Sequence, residues 1–79
     1  MITIQVLGHS KCAFCKQAIE LLAVNGRSFL YLDAHQPENA ALLDQIRAEG
    51  VRTVPQIWIE DTRIGGFDEL KRYLEYTDE

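Results

Sequence analysis

The stretch Ile2-Thr3-Ile4-Gln5-Val6-Leu7-Gly8-His9-Ser10-Lys11-Cys12-Ala13-Phe14-Cys15-Lys16-Gln17-Ala18-Ile19-Glu20-Leu21-Leu22 changes its period partway along. Residues 2–7 alternate and are rich in β-branched side chains, the pattern of a strand. From residue 13 the apolar positions Cys15, Ala18, Ile19 and Leu22 recur at helical spacing, with Gln17 and Glu20 on the wet side. Two cysteines three residues apart therefore stand where a strand hands over to a helix. Asn25-Gly26 supplies the stop, because glycine takes the left-handed conformation that ends helices.

Beyond that stop, residues 28–33 read as a second strand. Pro37 suits a first helical position, and Asn39, Leu42, Leu43 and Ile46 mark one face of a helix ending at Gly50. Residues 56–60 alternate as a third strand, Asp61-Thr62 can turn, and Arg63-Ile64 can start a short return strand. Phe67, Leu70, Tyr73 and Leu74 give the face of a last helix, with Tyr73 and Tyr76 expected to pack. The order β-α-β-α-β-β-α defines an α/β fold. A helical crossover makes the first two strands parallel, and a tight turn makes the last two antiparallel. Helices then cover both faces of a four-stranded mixed sheet.

Seventy-nine residues suit one domain, taken as 1–79. With 47% hydrophobic and 25% charged residues the chain falls in the globular range. The net charge of −4, without a Lys/Arg run, argues against a general nucleic-acid binder. No apolar run approaches the roughly 20 residues of a membrane span. The amino terminus is too short and too polar for a signal peptide, so a cytoplasmic protein is expected. Thiols are kept reduced there, and a close pair of cysteines then points to redox chemistry or metal binding rather than to a structural staple.

A cysteine at a helix start meets unpaired backbone N–H groups and the positive end of the helix dipole, both of which favour thiolate over thiol. Lys11 adds a positive charge next door, and His9 adds another when protonated. Cys12 is accordingly the expected nucleophile. Cys15, one turn further in, is the less reactive partner that resolves a mixed disulfide formed on the first. Two inert buried cysteines are the plain alternative. A zinc site would need two further ligands, and neither His9 nor His35 forms a metal-like pair, so no metal is expected.

Cys12-x-x-Cys15 after the first strand, Thr53-Val54-Pro55 before the third, and Gly65-Gly66-Phe67-Asp68 before the last helix together resemble glutaredoxins. The similarity spans the chain and keeps the motifs in order. The compact length, the Lys11-Cys12 pair and the stretch Ile64–Asp68 look most like phage-encoded members that serve ribonucleotide reductase. The resemblance implies a thioredoxin-like fold and a dithiol oxidoreductase with Cys12 and Cys15 as catalytic residues. Glutathione would be the cosubstrate, with no bound cofactor. The partners implied are disulfide-containing or glutathionylated proteins, ribonucleotide reductase among them, served by a monomer.

The same resemblance gives the remaining motifs roles. It implies a cis bond before Pro55, which sets the backbone of Val54 beside the nucleophile to pair with the cysteinyl part of glutathione. A plain strand-start proline is the alternative. Glutathione contacts are implied at Lys11, Phe14, Thr53, Val54, Pro55, Gly66, Phe67 and Asp68. The N–H groups of Phe67 and Asp68 suit a carboxylate at a helix start, and the Asp68 side chain suits an ammonium group. If Gly65-Gly66 is only a turn, Asp68 is a helix cap.

The chain also departs from the pattern it resembles. Ala13 and Phe14 replace the usual Pro and Tyr, and His9 stands where a lysine is frequent. Lys11, then Arg52, are the candidates for the glycine carboxylate. An exposed Phe14 could instead touch a protein partner. Two other functions fit less closely. A redoxin fed by thioredoxin reductase has no need of a γ-glutamyl pocket. Dimeric iron–sulfur carriers in the family have Cys-Gly-Phe-Ser, from which Cys15 departs.

Overall fold

The computed structural model describes residues 2–77. Its elements are β1 (Ile4–Gly8), α1 (Ala13–Val24), β2 (Leu30–Asp33), a 3-10 turn (Pro37–Asn39), α2 (Ala40–Ala48), β3 (Gln56–Ile59), β4 (Thr62–Gly65) and α3 (Phe67–Thr77). The strands form one sheet in the order β2-β1-β3-β4, with β1–β2 parallel and β1–β3 and β3–β4 antiparallel. The acidic residues Glu75, Asp78 and Glu79 read as a solvated tail in the sequence, and Asp78 and Glu79 lie outside the described residues. Glu75 itself is exposed.

Strand alternation explains the two layers. Ile4 and Val6 pair with Ile59 and Ile57, and this face receives Ala18 and Leu22 of α1 and Leu70 and Leu74 of α3 to make the core. Leu7 points the other way, is fully buried, and pairs with the buried Gln56. On that second face the Gln56 amide accepts from Arg63 Nη1 at 3.0 Å, and Arg63 Nη2 meets Glu49 Oε1 at 3.3 Å, at the end of α2. The helices thus cover both faces, α1 and α3 on one and α2 on the other.

Several boundaries differ from the sequence reading. β1 begins at Ile4 because pairing with β3 ends there: the N–H of Glu60 donates to Thr3 O at 2.7 Å as the chain turns away. β2 begins at Leu30, where Gln5 offers it a partner. The β3–β4 turn is Glu60-Asp61, not Asp61-Thr62, since Thr62 already pairs with Ile59, and Glu60 takes a φ of 55°. Tyr76 is 85% exposed rather than packed. At two residues past Leu74 it is rotated roughly 200° around α3, away from the core.

Two local features aim the chain at the site. α1 closes in a Schellman arrangement, with Gly26 N–H donating to Ala23 O at 3.0 Å and Arg27 N–H to Leu22 O at 2.9 Å. Gly26 sits at φ 67° to allow it. In β4 the register slips by one residue, so that Gly65 rather than Ile64 faces Ile57, and this bulge redirects the strand into α3. No helix among the described residues is long and apolar enough to cross a membrane.

Candidate active site

β1 ends at Gly8, and the three residues that follow fold back so that Cys12 N–H donates to His9 O at 3.2 Å. Cys12 is the N-cap of α1, with φ −99° and ψ 112°. Its Sγ accepts the N–H of Cys15 at 3.1 Å, a role usually filled by the oxygen of Ser, Thr, Asp or Asn. The sulfur is therefore held at a helix start with a backbone donor aimed at it. It is partly exposed, and its thiol lies 3.5 Å from Val54 O.

Cys15 is placed very differently. It is 1% exposed and packs on the end of β1, where a Cβ at Gly8 would come within 2.7 Å of its sulfur. Glycine at position 8 is what makes room for it. Burial pushes the Cys15 thiol up to about 12, with the contact to Cys12 adding to the effect. A thiol so raised stays protonated at neutral pH, which leaves Cys12 as the sulfur available for attack. Both cysteines are free thiols.

The Val54-Pro55 bond is cis, as expected from the resemblance. The loop carrying it is braced from behind by Gln56, whose amide donates to Thr53 O at 2.9 Å and to Thr53 Oγ1 at 3.3 Å. That brace continues through Arg63 to Glu49, the residue that follows α2. Sequence reading missed it, although a polar residue in an otherwise apolar alternating strand was its signal.

Val54 forms the divide between two clefts. One, of about 260 Å³, is lined by Phe14, Val54, Pro55, Gly66, Phe67, Asp68 and Glu69. Phe14 is 57% exposed, and its ring lies 5.9 Å from that of Phe67. Gly66 allows the α3 start to approach the loop, since a Cβ there would sit 3.3 Å from Pro55 O. The other cleft, of about 330 Å³, brings His9, His35, Arg47 and Arg52 together beside Thr53 and Val54. Seven of the eight expected glutathione contacts thus line one cleft or the other. Lys11 is exposed and lines neither.

The start of α3 holds a further finding. The expected alternative role for Asp68, capping the helix, is filled by Glu69, whose Oε1 accepts the N–H of Gly66 at 2.8 Å. This is the backward half of a capping box, and Gly66-x-x-Glu69 was its legible signal. That bond, followed by one from its own N–H, holds the Glu69 carboxyl below its ordinary value. Gly65, at φ 124°, leaves space for the Glu69 side chain, which a Cβ would meet at 2.7 Å. The Asp68 side chain is exposed and makes no hydrogen bond or ion pair among the described residues.

Comparison with known proteins agrees with this geometry. The glutaredoxin family model matches residues 2–64. Glutaredoxin 3 of Escherichia coli is 37% identical over 71 residues, which cover 89% of this chain and 83% of that protein. A probable glutaredoxin of Synechocystis is 37% identical over 67 residues, 85% of this chain but 62% of its own length, so the chain spans under two thirds of that relative. The crystal structure of glutaredoxin 1 from Francisella tularensis, complexed with cacodylate, superimposes with a TM-score of 0.79 at 26% identity, covering 96% of this chain and 95% of that one. The fold is therefore thioredoxin-like. With Cys12 and Cys15 at the start of α1 and a match running from the first strand into the fourth, the chain belongs to the glutaredoxin family.

Proposed function

We propose that the protein is a glutathione-dependent thiol–disulfide oxidoreductase that reduces glutathione mixed disulfides and protein disulfides. The observation that carries this reading is the unequal pair of thiols at one helix start, Cys12 accessible and capping, Cys15 buried and pushed up to about 12.

In the glutathione cycle, Cys12 sulfur attacks the glutathionyl sulfur of a mixed disulfide. The old S–S bond breaks, the substrate leaves as a thiol after taking a proton, and glutathione remains on Cys12. A second glutathione thiolate attacks that glutathionyl sulfur, releasing oxidised glutathione and the Cys12 thiolate. With a protein disulfide, Cys12 attacks one sulfur and the other leaves as a thiol. Cys15 then gives up its proton and attacks Cys12 sulfur, and the mixed disulfide breaks to release the second substrate thiol. Two glutathiones reduce the resulting Cys12–Cys15 disulfide, leaving as oxidised glutathione. Burial is the main cause that holds Cys15 protonated, and the contact with Cys12 adds to it. Only that smaller contribution changes once Cys12 is engaged, and Cys15 stays in reserve until a mixed disulfide forms beside it.

The first cleft suits the γ-glutamyl end of glutathione. Its α-carboxylate would meet the N–H groups of Phe67 and Asp68, and its ammonium the unengaged Asp68 carboxylate. Val54 would pair with the cysteinyl backbone beside Cys12, and Phe14 would cover the disulfide from the apolar side. Arg52, lining the second cleft, is better situated than Lys11 for the glycine carboxylate. A monomer working in the cytoplasm without a bound cofactor accords with this scheme, and ribonucleotide reductase is the candidate protein substrate.

Iodoacetamide labelling with mass mapping, run from pH 6 to 9, tests the division of labour. Cys12 is expected to take the label first throughout, with Cys15 unmodified. Preferential labelling of Cys15 would reverse the assignment.

A further inference from the structure

His9 does more than precede the nucleophile. Its backbone O accepts from Cys12 N–H, and its ring Nδ1 accepts from Lys11 N–H, both at 3.2 Å. An acceptor at Nδ1 requires the neutral ring with its proton on Nε2, because the imidazolium has donors only. The ring is backed by His35, edge-on with centroids 5.2 Å apart. His35 is itself held where β2 ends, its N–H donating to Asp33 Oδ1 at 2.9 Å. The adjacent Ala34 N–H donates to Gly8 O at 2.7 Å. His9 thus sits between the loop that carries Cys12 and the loop that follows β2.

We propose that neutral His9 is a positioning residue for Cys12, its ring acceptor closing the 9–12 turn so that the sulfur stays between Cys15 N–H and Val54 O. The proposal rests on Cys12 being the nucleophile. It also concerns a place where this chain departs from its resemblance: a lysine at position 9 carries no acceptor and could not make this bond. Arg47 and Arg52 share the second cleft with His9 and His35, and Lys11 and Asp33 flank it. A test must therefore leave charge unchanged, which calls for neutral replacements.

Asparagine meets that need, since its side-chain oxygen readily accepts the N–H two residues on, as in an Asx turn. Leucine fills space but accepts nothing. Two readings are taken on wild type, His9→Asn and His9→Leu: hydrogen exchange at the Lys11 amide, and the second-order rate of iodoacetamide labelling mapped to Cys12 at pH 7. His9→Leu is expected to exchange faster at Lys11 and to label Cys12 about three- to tenfold more slowly, the range that one lost hydrogen bond commands. His9→Asn should stay within about twofold of wild type on both, while thermal melts verify that each variant is folded. A His9→Leu rate equal to wild type, or a His9→Asn rate as slow as His9→Leu, overturns the proposal. Wild-type label found on Cys15 overturns instead the assignment of the nucleophile, and the mass map separates that failure from the other.

Discussion

Cys12→Ser is expected to lose turnover of glutathione mixed disulfides and protein disulfides alike, by at least about three orders of magnitude, since no other accessible thiol remains. The loss should come without unfolding. Serine is itself a strong N-cap, and its Oγ can take over the Cys15 N–H that Cys12 Sγ now accepts. Cys15→Ser should behave differently in the two reactions. Glutathione from solution can resolve a glutathionylated Cys12, so that activity is kept within a few-fold. Resolution of a protein mixed disulfide, however, loses an intramolecular thiol held one helical turn away, and a drop on the order of a hundredfold is expected there. Steady-state rates on both substrate types measure this. Equal loss of both activities in Cys15→Ser would mean that the single-thiol route is not used.

The second large effect separates two neighbouring carboxylates. Asp68→Ala should weaken the apparent constant for glutathionylated substrates by about ten- to a hundredfold, the worth of a charge-assisted bond to an ammonium group. Its melting temperature should barely move, because the cap of α3 belongs to Glu69. Glu69→Ala should do the reverse, costing about 1 kcal/mol, or roughly 4–8 °C in Tm, with that constant little changed. The acid limb carries a further signature. The Glu69 pKa is lowered on folding from its ordinary value of 4.5, so its contribution is complete above that value and disappears as pH falls through the lower folded one. Melts of wild type and Glu69→Ala should therefore differ at neutral pH and converge in acid. A lowered Tm for Asp68→Ala with unchanged kinetics would make Asp68 a structural residue.

Much of the architecture was legible because burial imposes a period. Val6 and Ile57, or Ala18 and Leu22, could not face the core under any other pattern of strand and helix. The cysteine pair was legible for a related reason, since its place at a strand-to-helix junction is a statement about backbone donors. What escaped depends on contacts between distant segments. Position 60 carries no glycine or asparagine to announce its left-handed turn. Tyr76 continues an aromatic pattern but falls on the far side of α3. The second cleft gathers residues from the end of β1, the loop after β2, α2 and the segment before Pro55, and adjacency along the chain gives no hint of it. Lys11 is the converse case, next to Cys12 in sequence yet outside both clefts.

The most direct test of the account is turnover of a glutathione mixed disulfide by the purified chain, with NADPH oxidation coupled through glutathione and glutathione reductase and compared with coupling through thioredoxin reductase alone. The account predicts steady turnover in the glutathione-coupled reaction, dependent on glutathione concentration, and none above background with thioredoxin reductase. Turnover with thioredoxin reductase and none with glutathione would contradict it, and would leave the cleft beside Asp68 without the substrate proposed for it.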